Sequence, residues 1–232
     1  MAAKRVLVVF GATGLQGGSV VKAVLGDAKP SAKALESLGV ETVAADLNNV
    51  SSLKTALQGA YAADEVVIED TGVQHLIWRI LMNVTQLLIG SSIEGCIDTG
   101  PPLRLESSYR ARHCGLPATY FMPGFHMSNV PGSNFRQAPP NNDWAFALPV
   151  PSSSPIPLLS TADDVGKFVM GILLNREKVL GKQIYGATDY QTPDQIAQPF
   201  KEQFPEAGKT AKSVELLHQV FKEILGLKGM PA

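Results

Sequence analysis

Arg5-Val6-Leu7-Val8-Val9-Phe10-Gly11-Ala12-Thr13-Gly14-Leu15-Gln16-Gly17-Gly18-Ser19-Val20 is the stretch that decides the fold class of this chain. Residues 5–10 form a short, continuous apolar run rich in β-branched side chains, with a glycine directly after it. That pattern predicts a strand buried on both faces, as in a parallel sheet. Residues 19–25 read as a helix. Between the two, Gly11-x-x-Gly14-x-x-Gly17 places three glycines in a strand-to-helix turn. One permits the tight turn, another lets the backbone approach a pyrophosphate, and a third lets the helix pack close to the strand. The opening N–H groups of the helix and its positive dipole end then favour phosphate. Gly11, Thr13, Gly14, Leu15, Gln16 and Gly17 are the cofactor-binding candidates of this turn. The spacing differs from the commoner Gly-x-Gly-x-x-Gly, and a glycine-rich β-to-α turn without a ligand is the alternative reading. A P-loop is excluded, because no Lys-Ser or Lys-Thr follows the glycines.

The rest of the composition narrows the function. A chain of 232 residues suits one domain, or one domain with a lobe. With 45% hydrophobic and 18% charged residues it is apolar enough to bury a core and too apolar for disorder. A net charge of −1 without a long basic run argues against direct nucleic-acid binding by phosphate neutralisation. Apolar runs stay below the roughly 18 residues that a membrane span needs. The start at Met1 enters the first strand without the longer apolar stretch of a signal peptide, so a cytoplasmic location is expected, with a nuclear one as its variant. In that setting Cys96 and Cys114 form no disulfide, and two thiols make no zinc site. The four histidines are too scattered for a metal. His75 reads as a packed strand residue and His218 as a surface one. The sequons at Asn49 and Asn83 are expected to be unused.

Along the chain, residues 33–38 form a short helical patch and 41–45 read as a strand. A helix over 51–57 has Ser51 or Ser52 as its cap. Val66, Val67 and Ile68 belong to a helix ending at Gly72. Residues 74–78 and 117–122 read as strands. Residues 85–105 read as loop, 106–114 as helix, and the Pro-, Asn- and Ser-rich stretch 125–160 as a long loop. Residues 162–175 are an amphipathic helix and 182–187 a strand. Thr192-Pro193-Asp194-Gln195 is a capping box that starts another helix. Residues 213–225 carry Val214, Leu217, Phe221 and Leu225 on one helical stripe.

Gly11 to Val20 resembles the opening of the NmrA-like family, atypical members of the short-chain dehydrogenase/reductase superfamily. Further segments match in order: 34–40 and Asp46-Leu47-Asn48, then 72–78, 115–125, 163–169 and 185–197. The resemblance covers most of the chain. It implies an α/β fold with a Rossmann-like parallel sheet and a small C-terminal α/β lobe, divided at 1–124 and 125–232. It implies binding of NAD or NADP, with NADP favoured, and adds Asp46 and Leu47 to the cofactor contacts. Phe125 and His126 fall in a Pro-Gly-Phe stretch that the family uses on the substrate side.

The chain also departs from the family. A Rossmann half needs a second strand after the first helix, to read the ribose 2′ position. Residues 26–33 fill that interval with no apolar run and no Arg. Lys29 and Lys33 could substitute, although flexible surface lysines are the simpler reading. A second gap follows Gly59-Ala60-Tyr61, where the family has another buried strand. Both absent strands would flank residues 5–10, and unpaired buried backbone groups are costly. The expectation is therefore a chain with internal deletions.

The catalytic equipment is thin as well. The superfamily pairs a Tyr with a Lys four residues later, and no Tyr here has that partner. Tyr109 has His113 instead, and these two are the weak catalytic candidates. After Trp78 the family has small hydroxyl residues, where this chain has Arg79-Ile80-Leu81-Met82. Three functions follow. The first is an NAD(P)-binding, redox-sensing regulator that passes its signal to a protein partner such as a transcription regulator. The second is an NAD(P)H-dependent oxidoreductase of a small carbonyl or quinone. The third is a truncated variant without activity.

Overall fold

The computed structural model describes residues 5–26, 32–37, 40–46, 49–64, 72–79, 117–130, 134–138, 141–217 and 219–221. Leu47, Lys29, Val66 to Ile68, the segment 85–114 with Cys96, Tyr109, His113 and Cys114, and His218 lie outside the described residues. The elements in chain order are β1 (Leu7–Val9), α1 (Leu15–Leu25), α2 (Ala32–Ser37), α3 (Val50–Ala56), β2 (Ala62–Asp64), β3 (His75–Arg79) and β4 (Ala118–Pro123). Then come β5 (Phe125–His126), a 3₁₀ turn (Met127–Asn129), β6 (Phe135–Ala138), β7 (Asp143–Leu148) and β8 (Ile156–Leu159). The chain continues through α4 (Val165–Leu174), α5 (Arg176–Val179), β9 (Gln183–Gly186), β10 (Asp189–Gln191), α6 (Pro193–Gln203), α7 (Pro205–Gly208) and β11 (Lys212–Glu215).

Two compact units share these elements. The first takes in Met1–Met82, Gly100–Pro123 and Thr161–Gly186. Its sheet has the order β1-β2-β3-β4-β9, and every pair is parallel, with Leu7 opposite Ala62, Ala62 opposite His75, Leu76 opposite Ala118 and Tyr120 opposite Gln183. This is the expected α/β, Rossmann-like arrangement. β3 and β4 are buried almost throughout, which is why both read as continuous rather than alternating apolar runs. Val20, Val21, Leu35, Leu53, Leu76, Ile77, Phe121, Val165 and Val169 make up much of the core. Phe121 stacks on Phe168 of α4 with ring centroids 5.4 Å apart.

The second unit takes in Asn83–Thr99, Gly124–Ser160 and Ala187–Ala232. It holds two three-stranded sheets, β10-β8-β5 and β11-β7-β6. Phe135, Phe146, Leu148, Ile156, Leu158 and Ile196 form its core, with Trp144 and Phe200 packed against it. Helix α6 starts with the expected capping box: Thr192 accepts from Gln195 N, and Gln195 Oε1 accepts from Thr192 N at 2.8 Å.

Several expectations are corrected. The gap after Tyr61 is no gap, because Ala62–Asp64 is a strand between β1 and β3. Ala62 and Ala63 carry almost no strand propensity. The two strands beside them impose the conformation, and both alanines are fully buried. On the other side of β1 no neighbour is found among the described residues. Residues 41–45 form no strand. Residues 41–46 lie exposed and irregular, with no ladder partner among the described residues. The stretch 125–160 is no long loop, since it contains β5 to β8. Within 213–225, Ser213 to Glu215 belong to β11, parallel to β7, and among the described residues helix is found at 219–221. The cap of α3 is Asn49, whose side chain accepts from Ser52 N at 3.1 Å.

His75 sits at the start of β3, fully buried as expected. The hydroxyl of Thr119 donates to Val179 O at 3.2 Å, so its single proton is committed and it accepts from His75 Nε2 at 2.9 Å. This fixes the proton on Nε2 and leaves Nδ1 buried without a hydrogen-bond partner among the described residues. Burial, with the Arg176 charge as a smaller cause, lowers the His75 pKa from 6.5 to about 4. The unfolded chain therefore binds the extra proton more readily than the folded one. The stabilising contribution is complete above pH 6.5 and is lost as pH falls towards 4. Urea midpoints should drop over that window by the equivalent of about 3 kcal/mol. A His75→Gln variant should have a flatter profile, and an equally steep one would show that another group is responsible.

Candidate functional site

The glycine turn lies at the carboxyl end of β1, where open parallel sheets bind their ligands. Gly11 has φ +62°, a left-handed conformation that favours glycine. Gly14 N donates to Gly11 O at 2.8 Å and closes the turn, and Gly18 N donates to Gly14 O at 2.8 Å as the helical ladder begins. Leu15, Gln16 and Gly17 thus start the helix with N–H groups that have no partner in the ladder. Gly14 is the N-cap, and no side chain caps the helix. Gly11, Thr13, Gly14 and Leu15 are exposed, Gln16 is half-buried and Gly17 is buried. The turn is open where an anion would enter and closed where the helix meets the strand.

The closure at Gly17 is tight. A Cβ there would lie 2.3 Å from Gly11 O and 2.6 Å from Phe10 O. A cradle of this shape, with open N–H donors and no acidic residue in the first turn, fits a pyrophosphate.

Helix α1 is held in place by α4. Gly166 N donates to Ser19 Oγ at 2.9 Å, and a Cβ on Gly166 would lie 2.0 Å from Ser19 O. Lys22 also pairs with Asp163 at 3.3 Å. A groove of about 320 Å³ runs beside this contact, lined by Ser19, Lys22, Ala23, Gly26, Asp163 and Lys167. None of these residues belongs to the glycine turn.

One residue of the site was missed as a contact. Arg79, at the carboxyl end of β3, is 8% exposed, and its Nη1 donates to Gln16 Oε1 at 2.6 Å. The sequence marks Arg79 only as a departure from the family's small hydroxyl residues. An Arg as the last residue of a buried parallel strand is the signal that could have found it.

The other candidates are scattered. Asp46 is exposed; its N–H is bonded to Ser52 Oγ at 2.8 Å, and its carbonyl accepts from Asn49 N at 2.9 Å. Phe125 and His126 form β5 in the second unit, paired with Leu158 and Leu159, and Phe125 packs edge-on against Phe146. Among the described residues no group of His, Cys, Asp or Glu could hold a metal, and no helix is long and apolar enough to cross a membrane.

Comparison with known proteins agrees with this layout. The NmrA-like family oxidoreductase cpsB of Aspergillus campestris is 24% identical over 99% of this chain and 80% of its own length. That alignment runs over 278 residues, more than the 232 here, so the relative carries segments this chain lacks. FrzB of a Cladobotryum species, also named as an NmrA-like family oxidoreductase, is 25% identical over 85% of this chain and 73% of its own length. Among solved structures, the negative transcriptional regulator NmrA in complex with NAD superposes with a TM-score of 0.69 at 19% identity, covering 92% of this chain and 74% of its own. Triphenylmethane reductase of Citrobacter with NADP(H) superposes at 0.61 and 18% identity, covering 98% and 85%. The family profile itself matches residues 3–77 and 105–232, and the chain belongs to the NmrA-like family.

Proposed function

We propose that this protein binds NAD or NADP at the glycine turn and works as a redox-sensing regulator with little or no turnover. The observation that carries the binding is the uncapped start of α1 behind a turn with Gly11 at positive φ and no room for a Cβ at Gly17. The backbone of Gly11 to Gly17 would hold the pyrophosphate, with Thr13, Leu15 and Gln16 at its edge. Asp46 and Leu47 are assigned to the cofactor side, and Phe125 and His126 to the substrate side, by family resemblance. The nicotinamide would supply a hydride acceptor or donor. NADP is the expected form by family resemblance alone; the solved NmrA complexes contain NAD in one case and NADP in another.

Against turnover stands the sequence, in which no Tyr precedes a Lys by four residues. The proton that such a pair would move has no assigned carrier beyond the weak candidates Tyr109 and His113. A protein partner, such as a transcription regulator, would then read the nucleotide state. The second reading is a reductase of a small carbonyl or quinone, favoured by the oxidoreductase names of the fungal relatives. Calorimetric titration with NADPH and NADH, followed by cofactor oxidation with a panel of quinones, separates these readings. Saturable binding without oxidation is the expected result. Turnover would replace the regulator by the reductase. A folded protein that binds neither nucleotide would overturn both, and a chain that fails to fold would point to an inactive, truncated variant.

A further inference from the structure

Arg79 is the last residue of β3, and β2 lies between β3 and β1. Adjacent strands are about 4.8 Å apart, so a side chain from β3 that reaches the turn behind β1 must pass over the carboxyl end of β2. Arg79 does so, because its Nη1 meets Gln16 Oε1 at 2.6 Å. Gln16 is the second residue of α1, between the N-terminal N–H groups that face the ligand. The guanidinium thus lies along the crevice outside the carboxyl ends of β1 to β3, where open α/β sheets take their ligands. At 8% exposure it is largely withdrawn from water, which strengthens its attraction for an anion. The family match breaks off at Ile77 and resumes at residue 105, so this cation lies just outside the matched segments.

The bond to Gln16 joins a charged donor to a neutral amide oxygen. A phosphate oxygen is the stronger acceptor, because both sides are then charged and the guanidinium fork matches two oxygens at once. We propose that Arg79 recognises a phosphate of the bound dinucleotide, adding a cationic side-chain contact to a turn that otherwise offers backbone N–H groups and a helix dipole. This rests on the NAD(P)-binding reading above. A phosphate-bearing ligand draws the guanidinium from Gln16 or shares it, and a ligand without phosphate leaves the Arg79–Gln16 bond as it is.

The test compares wild type with Arg79→Gln and Arg79→Lys by calorimetry, with NADPH, ADP-ribose and adenosine as probes over a range of salt concentrations. Arg79→Gln keeps an amide donor for Gln16 Oε1 and removes the charge. It should weaken NADPH and ADP-ribose by about tenfold to a hundredfold, the usual range for a charged hydrogen bond. Its affinity should also fall less steeply with salt, and adenosine should be unaffected. Arg79→Lys should recover part of the loss. If wild type binds NADPH and Arg79→Gln binds it equally well with the same salt dependence, the role of Arg79 is overturned while the NAD(P) reading stands. Equal losses for adenosine and ADP-ribose would assign Arg79 a packing role and overturn the proposal as well. If Arg79→Gln does not fold, wild type alone decides, since ADP-ribose binding no more sensitive to salt than adenosine binding would refute a cationic contact. Failure of wild type to bind NADPH at all would remove the parent reading first.

Discussion

Gly17→Ala should cost about 3 kcal/mol of stability and abolish measurable dinucleotide binding. The added Cβ would stand 2.3 Å from Gly11 O, 2.6 Å from Gly11 C and 2.6 Å from Phe10 O. All three are backbone atoms of the turn, so no rotamer change relieves the overlap. The start of α1 must move away from β1, and the N–H groups of Leu15, Gln16 and Gly17 move with it. Gly14→Ala is the informative comparison. Its Cβ would meet Gly11 O at 3.3 Å, and its φ of −85° suits any residue. Stability should fall much less there. If the backbone at residue 14 approaches the ligand, binding should still be lost. Urea unfolding of both variants, with NADPH titration of each, checks the pair. Gly17→Ala with wild-type stability would mean that the turn is looser than its geometry, and the packing role of the third glycine would be withdrawn.

The turn was legible because its requirements are local. An apolar strand, half-buried rather than buried on both faces as expected, three glycines and a helix start all fall within about twenty residues, and each has its own residue signature. The Thr192 capping box was legible for the same reason. What failed depends on partners distant in sequence. Ala62–Asp64 has no strand propensity and becomes a strand because β1 and β3 both bond to it. Residues 41–45 have the opposite history. Their Thr and Val suit a strand, but no neighbour that would complete the ladder is found among the described residues. Ser213 to Glu215 carry a helical stripe in sequence, yet β7 captures them as a parallel strand. Arg79 looked like a loss of catalytic equipment, because a one-dimensional reading could not show that its side chain crosses β2 to Gln16. In each case contacts distant in sequence, made or not made, decided the outcome rather than local preference.

Gly166→Ala should be the second severe substitution, because it strikes the same turn from behind. A Cβ on Gly166 would lie 2.0 Å from Ser19 O, 2.6 Å from Ser19 C and 2.9 Å from Ala23 Cβ. Gly166 N also donates to Ser19 Oγ at 2.9 Å, a buried bond that separated helices would lose. Helices α1 and α4 must part, with an expected loss of about 3 kcal/mol or more, as overpacking and a broken buried hydrogen bond add together. Gly171 provides the control on the same helix. Nothing lies within 4 Å of a Cβ at that position, so Gly171→Ala should stabilise by about 0.5–1 kcal/mol through helix propensity alone. Opposite signs for the same chemical change on one helix would locate the effect in the contact with Ser19. The loss should also reach the ligand. Helix α1 carries the open N–H groups at its first turn, and Ser19 is only one turn further on, so displacing Ser19 tilts the anion cradle itself. Any Gly166→Ala protein that stays folded should therefore bind NADPH more weakly than wild type, whereas Gly171→Ala should bind it unchanged. Equal stability of Gly166→Ala and Gly171→Ala would refute the close crossing of α1 and α4 on which this coupling depends.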